Sequence, residues 1–130
     1  MKILFDTSVL VSAFTIRGQT FDVLKDVVYK HDAYYTDYIL LEFRQALEKN
    51  FPQLSPRVKE LDAFVIERYF FRGLSAKEIK PVSRDPNDDQ ILADALANHI
   101  DIILTGDKDL LVLKIYEGVR ILAPKDYWTL

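Results

Sequence analysis

Residues 1–14 read MKILFDTSVLVSAF, a short apolar run closed by Asp6 and followed by a stretch with helical spacing. The run at 3–5 is typical of a buried strand, and the pattern at 8–15 of a helix. Asp6 interrupts the apolar residues, and the uncharged run at 7–16 is too short to cross a bilayer. We therefore interpret this stretch as a strand and a helix rather than a signal peptide, and expect a soluble, cytoplasmic protein.

The same alternation continues along the chain. Short β-like runs recur at 33–36, 102–105 and 119–122, and further helical patterns lie at 20–30, 37–50, 56–72, 86–99 and 107–114. Continuous apolar strands that alternate with helices indicate a mostly parallel sheet covered on both faces. The predicted fold class is therefore α/β.

Composition limits the possible classes of protein. The chain has 130 residues, 49% of them hydrophobic, and no linker or repeat, so we expect a single domain over residues 1–130. The absence of cysteine excludes a disulfide scaffold and a thiolate metal site, and His31 and His99 are too few for a zinc cluster. A net charge of −3 gives no overall attraction for nucleic acid but permits a local basic groove.

Residues 83–95, SRDPNDDQILADA, place four aspartates at the mouth of a predicted helix. Asp85 before a proline is typical of an N-cap, and Asp88 is predicted to complete a capping-box-like arrangement. Asp94 is predicted on the polar side of the helix, in contact with solvent. Asp89 precedes apolar residues three, four and seven positions later, so its carboxylate is predicted to point inward, where it needs a partner or loses its charge.

Four acidic residues are predicted to meet at one edge of the sheet. Asp6 ends the first strand, and Asp107 follows the strand at 102–105 after one glycine. Glu42 lies in the second turn of the helix after the strand at 33–36, and Asp89 begins the helix that leads into 102–105. Taken singly, Asp6 is also typical of a turn, Asp107 of a helix cap and Glu42 of a surface.

Taken together, these four carboxylates indicate a cation. At a separation of ~4 Å and an effective dielectric constant near 20, each like-charged pair costs about 4 kcal/mol. All-oxygen sites favour Mg²⁺ or Mn²⁺ over zinc. Such ions act chiefly on phosphates, and the chain lacks the GxxxxGK[ST] loop of nucleotide triphosphate enzymes, so phosphodiester hydrolysis fits better than phosphoryl transfer from ATP.

Two other classes of function stay open at this point. An aspartate phosphoacceptor also places an acid at the end of a strand, although the haloacid-dehalogenase pattern needs a second aspartate where Ser8 lies and the receiver pattern needs an acidic pair. A module that binds a structural ion, or no ion, without catalysis is the other alternative.

Four motifs carry a family resemblance: DTSVLVSAF at 6–14, ILLEF at 39–43, DPNDDQILADA at 85–95 and ILTGDKDLL at 103–111. In this order and spacing they resemble the PIN-domain family, especially the VapC-like toxins of bacterial and archaeal toxin–antitoxin pairs. The resemblance implies a three-layer α/β/α sandwich and a Mg²⁺- or Mn²⁺-dependent endoribonuclease, often a homodimer, silenced by a small antitoxin. A PIN-like RNA-processing nuclease that is not a toxin is the alternative within the family.

Carried over by position, the resemblance implies that Asp6, Glu42, Asp89 and Asp107 are the catalytic, metal-binding acids. Asp88 is the neighbour most easily confused with Asp89.

Several nearby residues have weaker predicted roles. Ser8 and Thr105 flank the acids, and either can orient them by a hydrogen bond. Arg44, Arg84 and Lys108 are candidates for contacting RNA phosphates, although solvated surface charges look the same in sequence. Residues 63–74, AFVIERYFFRGL, predict either a buried helix or an exposed apolar patch for dimerisation or a protein partner.

Overall fold

Aspartate, serine and threonine caps set the starts of several helices in the computed structural model, which describes residues 1–130. The Asp6, Ser55, Thr36 and Asp85 side chains each accept a backbone hydrogen bond from the first turn of the helix that follows. The helices are α1 (Thr7–Thr15), α2 (Gly18–Lys30), α3 (Asp37–Asn50), α4 (Pro56–Tyr69), α5 (Pro86–Ala97) and α6 (Lys108–Leu111), with a final 3₁₀ helix at Pro124–Thr129.

Six strands form one sheet: β1 (Lys2–Phe5), β2 (Asp32–Thr36), β3 (Phe71–Gly73), β4 (Ile102–Leu104), β5 (Ile115–Tyr116) and β6 (Val119–Leu122). Their order is β3-β2-β1-β4-β6-β5, and every pairing is parallel except that of β5 with β6. The structure therefore confirms the predicted α/β class and the mostly parallel sheet.

The order of the strands defines where a ligand site is expected. The chain proceeds from β1 to β2 and β3 on one side, then returns to β4 on the other side of β1. Right-handed crossovers consequently carry α5 to the face opposite α1–α4, which gives a three-layer α/β/α sandwich. The connections diverge between β1 and β4, and ligands bind outside the carboxyl ends of strands at such a switch point.

The hydrophobic core lies on both faces of the central strands. Ile3, Leu4 and Phe5 of β1 and the three residues of β4 are almost completely inaccessible to solvent. The Phe14 ring of α1 meets the Phe43 ring of α3 edge-to-face at 5.8 Å. This contact holds α3 beside α1, and so places the second turn of α3 near the end of β1.

Three short elements differ from the predictions. The helix predicted over 56–72 ends at Tyr69, and residues 71–73 form edge strand β3. The helix predicted over 107–114 is one turn, followed by the β5–β6 hairpin. Strands of two or three residues have too little periodicity to be distinguished from helix ends, so these differences required tertiary pairing.

Residues 63–74 are not the fully buried helix that was one of the two predictions. Ala63, Ile66 and Phe70 are buried, whereas Phe64 and Tyr69 are 60% and 59% exposed. The segment therefore presents an apolar surface to solvent, in agreement with the second alternative.

None of the helices combines the length and the apolar character that crossing a membrane requires.

Candidate functional site

Asp6 stands at the switch point, directly after β1. Its Oδ1 accepts a hydrogen bond from the Thr7 backbone N–H at 2.8 Å, and its Oδ2 accepts one from Thr105 Oγ1 at 2.7 Å. Burial raises the pKa of Asp6, and the nearby Glu42 and Asp107 raise it further, while the two donors lower it. The carboxylate is thus held in a fixed orientation next to other acids.

Thr105 connects Asp6 to Asp107. The Thr105 side chain is completely buried at the end of β4, and its Oγ1 accepts a hydrogen bond from the Asp107 backbone N–H at 3.0 Å. Asp107 also caps α6, since its Oδ1 accepts a bond from the Asp109 N–H at 2.8 Å. One hydroxyl therefore bonds both the Asp6 carboxylate, at the end of β1, and the backbone of Asp107, which follows β4.

Glu42 reaches the same region from α3. Thr7 Oγ1 donates a hydrogen bond to Glu42 Oε1 at 3.1 Å, and Thr7 is the residue after Asp6. The partial burial of Glu42 leaves its carboxylate accessible from the edge of the sheet. The structure therefore brings together three of the four predicted acids: Asp6, Glu42 and Asp107.

The fourth acid beside this group is Asp88. Carboxylate oxygens of Asp85, Asp88 and Asp107 lie within 4.8 Å of one another. Asp88 is only 5% exposed, and burial together with Asp107 raises its pKa to about 7. Ser83 Oγ donates to Asp88 Oδ2 at 3.3 Å, so Asp88 does not form the predicted capping box.

No basic side chain forms an ion pair with these acids. None of the ion pairs in the structure involves Asp6, Glu42, Asp88 or Asp107. Like-charged carboxylates in a partly buried site remain ionised together only when a cation is bound. The donor set consists of carboxylate and hydroxyl oxygens, so the residues fit Mg²⁺ or Mn²⁺ rather than a soft metal.

The structure does not place the Asp89 carboxylate in this group of acids, where it was predicted to lie. Its Oδ1 accepts hydrogen bonds from the backbone N–H groups of Val82, at 2.9 Å, and Ser83, at 2.7 Å. It points inward, as predicted, but toward a cavity of ≈ 540 Å³ lined by Leu92 and Tyr116 rather than toward Asp107. Its inward charge is satisfied by the backbone of the preceding segment.

Burial in the structure separates Asp88 from Asp89. Successive residues of a helix are rotated by about 100°, so the two aspartates cannot face the same group. The residues three, four and seven positions after Asp88 are Ile91, Leu92 and Ala95, all buried, whereas two of the three after Asp89 are only partly buried. The more deeply buried of the two faces identifies Asp88 as the acid that faces the sheet, and this difference is visible only in the structure, because both sets of residues are apolar in the sequence.

The prediction that Asp94 needs only solvent is wrong. Asp94 is completely buried, and it accepts hydrogen bonds from the Ala76 N–H at 2.7 Å, Gln90 Nε2 at 2.8 Å and Thr36 Oγ1 at 3.4 Å. Residues 74–85 between β3 and α5 cover this side of α5. Periodicity cannot show that an irregular segment lies over a polar helix face.

The remaining predicted neighbours have different partners. Ser8 Oγ accepts a hydrogen bond from the Gly106 N–H at 3.3 Å and does not contact an acid of the site. Arg44 is paired with Glu60 at 2.6 Å and Glu67 at 3.4 Å.

The other two predicted phosphate contacts differ in whether they are paired. Arg84 is paired with Asp109 at 2.9 Å. Lys108, exposed and next to Asp107, has no ion-pair partner within 4.0 Å. Of the three predicted contacts, Lys108 is the one without an ion-pair partner.

Solved structures share this fold at low sequence identity. VapBC2 from Rickettsia felis, bound to a DNA fragment from its promoter, superposes with a TM-score of 0.71 at 12% identity, over 95% of this chain and 98% of the other. The sarcin–ricin loop cleaving toxin VapC20 from Mycobacterium tuberculosis gives 0.63 at 12% identity, over 91% and 98%. FitAcB from Neisseria gonorrhoeae gives 0.57 at 17% identity, over 98% and 99%.

Sequence comparison gives the family directly. No curated protein matches the chain. A family model described as PIN domain matches residues 2–109, which include every acid of the site. The chain belongs to the PIN-domain family.

Proposed function

We propose that this protein is a Mg²⁺- or Mn²⁺-dependent endoribonuclease that hydrolyses RNA phosphodiester bonds, and that it is the toxin of a toxin–antitoxin pair. The observation that carries the proposal is the group of uncompensated carboxylates at the switch point, in a chain of the PIN-domain family. The similarity in fold to VapC20, a sarcin–ricin loop cleaving toxin, supports RNA as the substrate.

Four acids would hold the metal: Asp6, Glu42, Asp88 and Asp107. Asp85 lies at the margin of the group, within 4.8 Å of the Asp88 and Asp107 oxygens. The set keeps three of the acids predicted from the sequence and exchanges Asp89 for its neighbour, because Asp89 is engaged by backbone donors.

The side chains of this chain act by orientation and charge. Thr105 and the Thr7 N–H fix both oxygens of Asp6, and Thr7 Oγ1 fixes Glu42, so the acids are arranged before an ion binds. Divalent ions at such sites supply activation of water and neutralisation of phosphate charge. Lys108 is placed to bind a phosphate next to the cleaved bond, and no side-chain nucleophile is required.

Metal removal and one acid substitution test this function. Protein treated with EDTA is expected to leave a labelled structured RNA intact and to cleave it after Mn²⁺ or Mg²⁺ is restored. Asp6→Asn is expected to abolish cleavage at every metal concentration. Asp22→Asn, an exposed aspartate on α2, is the matched control and is expected to cleave normally. Cleavage by Asp6→Asn at the wild-type rate would exclude the proposed site.

The proposal includes a protein partner, an antitoxin. Support comes from the fold similarity to VapBC2 and FitAcB, and from a groove between α2 and α4. Phe14, Phe21 and Val65 are among the residues that line this groove of ≈ 520 Å³. Buried Asp62 also lines it, and its Oδ2 has no hydrogen-bond partner. An apolar groove with one unsatisfied acid fits an amphipathic helix with a donor side chain.

Co-expression tests the partner. A short reading frame next to this gene is expected to encode a protein that co-purifies with the chain and blocks cleavage. Val65→Asp places a charge in the groove and is expected to weaken that complex while free protein still cleaves RNA. Light scattering of the free chain tests the homodimer that the proposal also includes. A chain with no neighbouring inhibitor that matures one specific RNA would instead be a processing nuclease.

A further inference from the structure

Asp89 anchors the segment that leads into α5. It is 7% exposed, and its Oδ1 accepts hydrogen bonds from two successive backbone N–H groups, those of Val82 and Ser83. A carboxylate that accepts backbone N–H groups makes charge-assisted hydrogen bonds, which are stronger than neutral ones. Two such bonds to adjacent residues define the conformation of the turn at 82–83.

This turn contacts the proposed metal-binding acids. Ser83 Oγ donates to Asp88 Oδ2 at 3.3 Å and accepts a bond from the Asp85 N–H at 3.4 Å. Asp88 and Asp85 are two of the three residues whose carboxylates lie within 4.8 Å of one another. Asp89 is therefore linked to both acids through one serine, although its own carboxylate faces away from them.

The link matters because the Asp88 carboxylate lies close to two other carboxylates, which repel it. In the absence of an ion, repulsion from the neighbouring Asp107 and Asp85 makes this position of an ionised Asp88 carboxylate unfavourable. The Ser83 hydroxyl is the one hydrogen-bond donor that the structure gives Asp88, and it is in position only while the turn keeps its shape.

We propose that Asp89 is a positioning residue, which arranges Asp88 for the metal by holding Ser83 in place. The inference rests on the proposed function, because it assigns a role toward the proposed metal site. It assigns to Asp89 no contact with the metal or with RNA.

Mn²⁺ affinity, measured by calorimetry on the purified full chain at fixed pH, tests the inference. Asp89→Ala leaves both N–H groups without a partner and is expected to weaken Mn²⁺ binding about 10–100-fold. Asp89→Asn keeps an acceptor oxygen and is expected to bind within about threefold of wild type. Ser83→Ala is expected to weaken binding, and the double variant Asp89→Ala, Ser83→Ala to bind no more weakly than Asp89→Ala alone, because both changes break one link.

Asn98→Ala provides a matched control. Asn98 holds the beginning of the same segment through the Leu74 N–H, at 2.7 Å, and the Leu74 carbonyl, at 2.8 Å, but it does not touch the turn at 82–83. The variant is expected to loosen the segment and leave Mn²⁺ affinity unchanged. Thermal unfolding in EDTA shows which variants are folded. If Asp89→Ala is not folded, the Mn²⁺ affinities of Ser83→Ala and Asp89→Asn test the inference instead.

Three results would overturn the inference. Asp89→Asn binding as weakly as Asp88→Asn would make Asp89 a direct ligand. Unchanged affinity in folded Asp89→Ala, or in Ser83→Ala, would remove the link through Ser83. Wild-type protein that binds Mn²⁺ but cuts no RNA would refute the proposed nuclease alone, and wild-type protein that binds no Mn²⁺ would refute both.

Discussion

Asp88 and Asp94 lie on the same helix, α5, and both are buried, yet their surroundings are opposite. Burial is the largest cause of a raised pKa for each. Asp94 meets three hydrogen-bond donors, from Ala76, Gln90 and Thr36. Asp88 meets one hydroxyl and two other carboxylates. The chain satisfies the first acid by itself, and in the proposed function a cation satisfies the second.

The comparison shows that burial alone does not identify a functional acid. A buried carboxylate with several donors stabilises the fold, whereas one that faces like charges reduces stability until a ligand binds. The number and sign of the groups around the carboxylate separate the two cases. Substitution and titration of these acids test whether the two cases differ as proposed.

The largest expected effect is on catalysis. Asp88→Asn removes a proposed metal ligand and is expected to lower Mn²⁺-dependent RNA cleavage by at least about 1,000-fold, since the metal supplies several kcal/mol. Asp94→Asn is expected to keep measurable cleavage, because Asp94 does not face the site. Cleavage assays on both variants at saturating Mn²⁺ check this. Equal losses in the two variants would break the comparison.

The second effect is on stability. Here a substitution of Asp94 is expected to be more harmful than a substitution of Asp88. Asp94→Ala leaves donors of Ala76, Gln90 and Thr36 without a partner and is expected to lower the free energy of unfolding by about 2–3 kcal/mol. Asp88→Asn removes like-charge repulsion and is expected to leave the metal-free protein as stable as wild type or more stable. Urea unfolding in EDTA at pH 8 measures both. A destabilised Asp88→Asn protein would mean that Asp88 is structural.

A smaller effect, on Mn²⁺ affinity, is expected for a substitution of Thr105. Thr105→Val removes the hydroxyl that bonds Asp6 and Asp107 while keeping the shape of the side chain. Mn²⁺ affinity is expected to fall about 10–100-fold. Thr105→Ser retains the hydroxyl and is the control. Wild-type affinity in the valine variant would show that Asp6 needs no orientation by Thr105.

The smallest effect concerns pH. Burial and the neighbouring Asp107 raise the pKa of Asp88 to about 7, and Mn²⁺ must displace the Asp88 proton, so Mn²⁺ affinity is expected to rise between pH 6 and pH 8, by at most about tenfold per unit. The unfolded chain loses this proton near its ordinary pKa of 3.8. Between these two pKa values the native state binds one more proton than the unfolded chain. The free energy of unfolding of the metal-free protein is therefore expected to fall as pH rises from about 4 toward about 7. Calorimetry and unfolding at several pH values measure both trends.

Asp88→Asn is the control for the pH experiment. The variant lacks the Asp88 carboxyl group that titrates near pH 7, so its stability is expected to depend less on pH across this range. A wild-type Mn²⁺ affinity that does not change between pH 6 and pH 8 would contradict the assigned pKa.

Much of the fold followed from local patterns. The apolar runs of β1, β2, β4 and β6 and the helical spacing between them predicted a mostly parallel sheet, which the structure confirms. The same reasoning carried Asp6, Glu42 and Asp107 to one edge, because the carboxyl ends of parallel strands lie together. Edge strands β3 and β5 were missed, since their three and two residues are held by pairing with neighbours.

The sequence by itself determined the alternation of strands and helices and the presence of acids at the strand ends, because hydrophobic periodicity and chain connectivity are local properties. Only the tertiary structure decided which acid of the pair at 88–89 joins the site and that Asp94 is buried. The physical reason is that a carboxylate's role depends on the donors and charges around it, and those come from residues distant in the chain: Asp107 for Asp88, and Thr36 and Ala76 for Asp94.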